Sequence, residues 1–217
     1  MKQYENVTIF DHPLIHHKVA ILRDEKTSMK EFRELVEEIT TLMTFEALRT
    51  GVPTEERQVK TPLETCTQTV VKDNAIVIVP ILRAGLGMVD GAVELVPSAR
   101  VGHIGLYRDH ETLQPVEYYC KLPGDIDQRD VIVLDPMLAT GGTLVAATHY
   151  LAEKGAKDVT AICIIAAPEG IKFVEENIDP SISFRVVVCG VDEGLNSKSY
   201  IVPGLGDAGD RLYGVID

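Results

Sequence analysis

The chain has 217 residues, 45% of them hydrophobic and 25% charged, with a formal net charge of -12. That length suits one domain with a substantial core. The charge balance argues against a general nucleic-acid surface or an anionic membrane surface, since both draw on clustered Lys and Arg; one local basic pocket for a small anion is still compatible with it.

The N-terminal MKQYENVTIF lacks the apolar core of a signal peptide. No apolar run approaches the roughly 20 residues that span a bilayer, so a soluble, cytoplasmic protein is expected. His12, His16 and His17 precede the first clear element and read as structural. That element is a helix from Ser28 to about Thr50. Ser28 and Glu31 make a capping box, Phe32, Leu35, Val36, Ile39, Leu42 and Met43 recur at helical spacing, and Gly51 offers a stop.

From Ala75 the pattern changes. AIVIVPIL (Ala75 to Leu82) is a short, continuous, β-branched run of the kind buried in parallel sheets. Similar runs follow at Val101 to Tyr107, Val131 to Leu134, Val159 to Ala166 and Phe184 to Val191. Helix-like stretches lie between them at Met88 to Leu95, Leu144 to Lys154 and Glu169 to Glu176. This alternation predicts a single α/β domain over residues 1–217, with a largely parallel sheet flanked by helices. Two segments break it: polar Arg108 to Pro123 reads as a projecting arm or flap, and Gly-rich Asn196 to Asp217 as an ordered loop. The four cysteines show no CxxC pair, and read as small buried hydrophobes. His103 and His149 fall in a strand and a helix, where packing or surface roles are expected.

The run VIVLDPMLATGGT (Val131 to Thr143) carries the chemistry. A buried strand delivers Asp135 at its carboxyl edge, where open α/β sheets bind ligands. The segment then turns through Thr140, Gly141, Gly142 and Thr143 into a helix. Glycines let backbone N–H groups approach a phosphate, and a helix N-terminus adds unsatisfied donors and a favourable dipole. This is not a Walker A loop, because the GxxxxGK[ST] spacing is absent. Gly204, Gly206 and Gly209 spell GxGxxG, yet Pro203 precedes them and the sequence stops at Asp217, which leaves no room for a dinucleotide fold.

The loop resembles the PRPP-binding motif of the type I phosphoribosyltransferases. That motif normally carries two consecutive acids, and Pro136 in place of the second is the form, DPMLATGG, of the uracil phosphoribosyltransferases. PILRAGLGM (Pro80 to Met88) resembles the family's pyrophosphate loop. PSAR (Pro97 to Arg100), YRDHETLQP (Tyr107 to Pro115), AAPEG (Ala166 to Gly170) and HPLIHHK (His12 to Lys18) also look like family segments. YIVPGLGDAGDRLYG (Tyr200 to Gly214) resembles the base-binding hood.

The resemblance implies the type I fold, with an arm or flap at 108–123 and a hood at 196–217. It implies conversion of uracil and PRPP to UMP and pyrophosphate in pyrimidine salvage. Arg83 and Arg108 would neutralise the leaving pyrophosphate, together with Mg²⁺ carried in by PRPP and held by no metal site of the protein. Asp135 would face the ribose, Pro136, Met137, Leu138, Ala139, Thr140, Gly141, Gly142 and Thr143 would bind PRPP, and Thr140 to Thr143 among them would anchor the 5′-phosphate. Ile201, Gly206, Asp207 and Ala208 would line the uracil, with Asp207 also near PRPP at the ribose junction. A GTP effector and a homodimer or homotetramer belong to the same expectation; a nucleic-acid or membrane partner does not. Three other readings stand beside it. A purine or orotate phosphoribosyltransferase is opposed by Pro136, an RNA-binding regulator of the same fold by the acidic charge, and a non-catalytic subunit by the intact PRPP and base segments.

Overall fold

A computed structural model describes residues 4–108 and 115–214. The chain opens with β1 (Val7–Ile9), α1 (Pro13–Arg23) and α2 (Met29–Ala47). His12 caps α1 by accepting the Leu14 N–H at 3.1 Å, and Pro13 stands at its first helical position, where its missing N–H is not needed. The Ser28 hydroxyl accepts the Glu31 N–H at 3.3 Å, as the capping box requires. Along α2, Phe32, Val36, Ile39 and Met43 are fully buried, each worth about 1.5–3 kcal/mol in apolar transfer. The helix ends at Ala47 rather than Thr50, and Gly51 follows with φ +85°.

Next comes an antiparallel hairpin of β2 (Thr54–Lys60) and β3 (Thr65–Val71), whose β2 residues are all exposed. Leu63 at its tip is 95% exposed. The α/β region then contains β4 (Ile76–Leu82), α3 (Val89–Leu95), β5 (Arg100–Val101), β6 (His103–Arg108), β7 (Pro115–Lys121), β8 (Asp130–Leu134), β9 (Met137–Leu138), α4 (Gly142–Glu153), β10 (Asp158–Ala166), α5 (Pro168–Asn177) and β11 (Ser183–Val191). A small hairpin of β12 (Gly194–Leu195) and β13 (Ile201–Val202) leads to α6 (Ala208–Tyr213).

The main sheet runs in the order β1-β11-β10-β8-β4-β6-β7, parallel except for β7 at the edge. Its apolar runs hide a two-residue period that is visible only once both faces are covered. Ile76, Ile78, Ile132, Leu134, Ile162 and Ile164 pack with α1, α2, α3 and α6, whereas Val77, Val79, Val131, Val133, Ala161 and Cys163 pack with α4 and α5. Among the described residues no helix is long and apolar enough to cross a membrane.

The segment expected to project from 108 to 123 is in part an edge strand, since β7 pairs with β6 around a bulge at Gly105/Leu106. The tip of that segment, 109–114, lies outside the described residues. The β2–β3 hairpin also lies at the surface, with every β2 residue exposed and Cys66 and Val70 of β3 half-buried. Cys163 and Cys189 are buried as expected, whereas Cys66 and Cys120 are half-buried.

Candidate active site

Parallel pairing brings the carboxyl ends of β4, β6, β8, β10 and β11 to one edge of the sheet. Pro80 lies opposite Leu134, and Leu82 opposite Gly105. Arg83 and Asp135 therefore follow the ends of neighbouring strands. Arg83 is exposed, follows a cis peptide after Leu82, and opens the 3₁₀ turn Ala84–Met88. That turn lies against the end of β8: a Cβ on Gly85 would sit 2.3 Å from the Leu134 carbonyl oxygen. Arg108 is the last residue of β6, one strand further out, bordering the segment outside the described residues.

Asp135 is half-buried where β8 leaves the sheet. Its N–H donates to the Ile162 carbonyl at 3.2 Å, and its Oδ1 accepts the Met137 N–H at 3.2 Å. Burial pushes its carboxyl up to about 6, opposed by the Met137 N–H. The buried Cys163 thiol next to it is raised well above its usual range, first by burial and then by the Asp135 charge.

Beyond Asp135, β9 rejoins β10 and buries Pro136 and Leu138; Met137, Ala139 and Thr140 are half-buried. Gly141 caps α4 with φ +84°, and α4 starts at Gly142 with exposed Thr143 in its first turn. The cap has no side chain, so the first N–H groups of α4 meet no capping oxygen from it. Side-chain-free contacts also set the loop's position. A Cβ on Gly141 would lie 2.6 Å from the Gly170 carbonyl oxygen, and one on Gly170 would lie 2.2 Å from that of Ala139. The glycine of AAPEG is thus the seat on which the loop rests.

The third component is the tail. Ile201 and Ala208 are buried, whereas Gly206, with φ +79°, and Asp207 are exposed. Asp207 caps α6 by accepting the Asp210 N–H at 3.0 Å. The tail reaches the Arg83 turn directly: the Tyr213 hydroxyl donates to the Arg83 carbonyl at 3.0 Å, and a Cβ on Gly87 would lie 2.8 Å from Leu212. Arg33 Nε donates to the Leu212 carbonyl at 2.5 Å. Arg211 donates to the Leu22, Asp24 and Leu205 carbonyls, with its guanidinium 4.4 Å from the Phe32 ring centroid. Sequence reasoning missed Arg33, Arg211 and Tyr213 as fasteners, because each meets a backbone carbonyl and most of those lie far away in the chain.

The edge thus combines a helix N-terminus without a side-chain cap, a carboxylate with a raised pKa, a guanidinium one strand away, and a Gly-rich tail that reaches the Arg83 turn. A sequence model described as uracil phosphoribosyltransferase matches residues 9–215. The chain is 57% identical over 211 residues to a uracil phosphoribosyltransferase of Thermoanaerobacter sp. (strain X514), covering 97% of this chain and 99% of that one. It is 59% identical over 210 residues to that of Bifidobacterium animalis subsp. lactis, covering 96% and 98%. Among solved structures, the AQ2163 protein of Aquifex aeolicus matches with a TM-score of 0.89 and 42% identity over 96% of this chain and 98% of that one. A Bacillus anthracis hypoxanthine-guanine phosphoribosyltransferase, 13% identical with a TM-score of 0.50, covers 76% of this chain and 80% of its own and shares the fold.

Proposed function

The chain belongs to the uracil phosphoribosyltransferase family, and from that premise we propose how its residues divide the work of converting uracil and PRPP to UMP and pyrophosphate. The chain is an enzyme of pyrimidine salvage; the assignment of steps to side chains is our reading. One observation carries it: the side-chain-free N-terminus of α4, the Asp135 carboxylate and the Gly-rich tail lie at the same carboxyl edge of the sheet.

The 5′-phosphate sits on the N–H groups of Thr140 to Thr143 at the start of α4, where the helix dipole favours an anion. Pro136 to Ala139 act through packing and main chain, since their side chains are wholly or half buried in the loop's own support. Asp135 holds the ribose hydroxyls and faces the positive charge that grows at the anomeric carbon as the bond to pyrophosphate breaks. Catalysis is then mainly positioning and electrostatic stabilisation. Arg83, with Arg108 on the adjacent strand end, neutralises the departing pyrophosphate. The donor chemistry suits Mg²⁺ that arrives with its own phosphate ligands, because Asp135 offers one carboxylate and Pro136 stands beside it. When bound, that ion withdraws charge from the leaving group.

Uracil lies against Ile201 and Gly206 to Ala208, with Asp207 near the ribose junction. Main-chain N–H and C=O groups match the alternating carbonyls and N–H of the base. Cytosine would leave such buried groups unpaired and is strongly rejected. Cytoplasmic location, a GTP effector and a homodimer or homotetramer extend this reading from family resemblance. For self-association the β2–β3 hairpin is an additional reason, as a two-stranded ribbon that buries none of its residues has little stability of its own. The test is a mixture of protein, Mg²⁺, PRPP and one base. UMP from uracil, with little product from cytosine, orotate or hypoxanthine, supports the assignment; comparable turnover of cytosine overturns the hood reading. GTP titration and sedimentation of the same sample check the effector and the oligomer.

A further inference from the structure

The segment from Ile201 to Ala208 has little regular structure of its own. β13 supplies two residues, and the chain then passes through Pro203, buried Gly204 and buried Leu205 before α6 begins. A buried peptide group must find hydrogen-bond partners, and here one ion pair supplies both for Gly204. Asp192, just past β11, accepts the Gly204 N–H on Oδ2 at 2.9 Å. Arg23, the last residue of α1, donates from Nη1 to the Gly204 carbonyl at 2.7 Å. The two side chains also hold each other, Nη1 to Oδ2 at 2.7 Å and Nη2 to Oδ1 at 2.5 Å. The Asp192 side chain is 6% exposed and that of Arg23 is 25% exposed. Gly204 is locked in place from its own side too: its φ is +64°, and a Cβ would sit 2.1 Å from the Ile201 carbonyl oxygen.

We propose that Arg23 and Asp192 are positioning residues for the base, which fix the peptide planes on both sides of Gly204 and so aim the main-chain groups of Ile201 and Gly206 to Ala208 at uracil. This rests on the assignment of those residues as the uracil seat. The clamp is anchored in α1 and at the end of β11, two elements that contribute nothing to the phosphate loop. Recognition by backbone groups tolerates errors of only about 0.5 Å, and a loop without regular structure needs an external template to stay within that tolerance. A planar guanidinium bridges a carboxylate and a carbonyl at once, whereas a Lys ammonium is a point charge without that fork. Arg211 fastens the other end of the segment, against Leu205 and the α1–α2 junction, so the seat is held at two places.

The test is steady-state kinetics with each substrate varied, on Asp192→Asn, Arg23→Met and Arg23→Lys, with Gly206→Ala as the probe of the seat itself. Asp192→Asn and Arg23→Met should raise the KM for uracil at least tenfold while kcat and the KM for PRPP stay within threefold. Arg23→Lys should fall between Arg23→Met and the unsubstituted enzyme. A merely structural role would instead shift both KM values and kcat together, and that result overturns the proposal. So does an unchanged KM for uracil in Asp192→Asn, the near-isosteric variant, or in Arg23→Lys should Arg23→Met fail to fold. If Gly206→Ala raises the KM for uracil and the clamp variants do not, the clamp alone is wrong. If Gly206→Ala also leaves it unchanged, the seat is wrong, and the clamp falls with it.

Discussion

Asp135 holds its charge at a cost that can be measured. Its carboxyl is pushed up to about 6 from an ordinary 3.8, first by burial and with the Met137 N–H opposing. At about 1.4 kcal/mol per pH unit, that difference amounts to about 3 kcal/mol of unfavourable free energy in the ionised folded state. The partial exposure of the residue and local relaxation reduce it, so about 1–3 kcal/mol is expected in practice. The sign is set by linkage. Because the folded pKa is raised, this carboxyl's stabilising contribution is complete below 3.8 and is lost as pH rises through about 6. Asp135→Asn keeps an Oδ1 acceptor for Met137 and carries no charge. The variant should therefore be more stable than the parent by about 1–3 kcal/mol at pH 8, with the advantage shrinking as pH falls toward 5. Urea unfolding followed by far-UV circular dichroism at pH 5, 6.5 and 8 measures this directly. The same variant should lose at least about 100-fold in kcat, since the carboxylate that faces the ribose is gone. In the parent, kcat/KM should fall as pH drops through about 6, where Asp135 of the free enzyme takes up a proton. A stability difference that stays constant from pH 5 to 8, or a variant less stable than the parent at pH 8, refutes the argument.

Gly170→Ala places a Cβ 2.2 Å from the Ala139 carbonyl oxygen, so it should cost about 1–3 kcal/mol in stability and raise the KM for PRPP well before that for uracil; thermal unfolding and initial rates report both. Arg108→Ala should lower kcat at least about tenfold through weaker neutralisation of the leaving pyrophosphate, and an unchanged kcat removes that residue from the mechanism. Tyr213→Phe deletes the hydroxyl that reaches the Arg83 carbonyl, a contact worth about 0.5–1.5 kcal/mol. It should raise the KM for PRPP a few-fold, although Tyr213 lies in the hood, and isothermal titration with PRPP checks it.

The sequence by itself determined what is local. The continuous β-branched run AIVIVPIL, the capping box before Phe32 and the string from Val131 to Thr143 each act through neighbours a few residues away. Strand, loop and helix could therefore be read in order. Glycine marked the loop for a local reason, the access it gives to backbone N–H groups, whereas the left-handed backbone at Gly141 is a feature of the structure. The β2–β3 hairpin escaped notice because TEERQVK and TCTQTVV bury no face and so leave no hydrophobic period to detect. Other features were settled only by the tertiary structure. That Gly170 exists to admit the Ala139 carbonyl, that Tyr213 touches the Arg83 turn, and that Arg23 and Asp192 hold Gly204 depend on contacts between remote segments. A guanidinium bonded to a carbonyl 181 positions away has no signature in its own neighbourhood. A carbonyl is present at every residue, so nothing in the sequence marks which one a given arginine will meet until the fold brings them together.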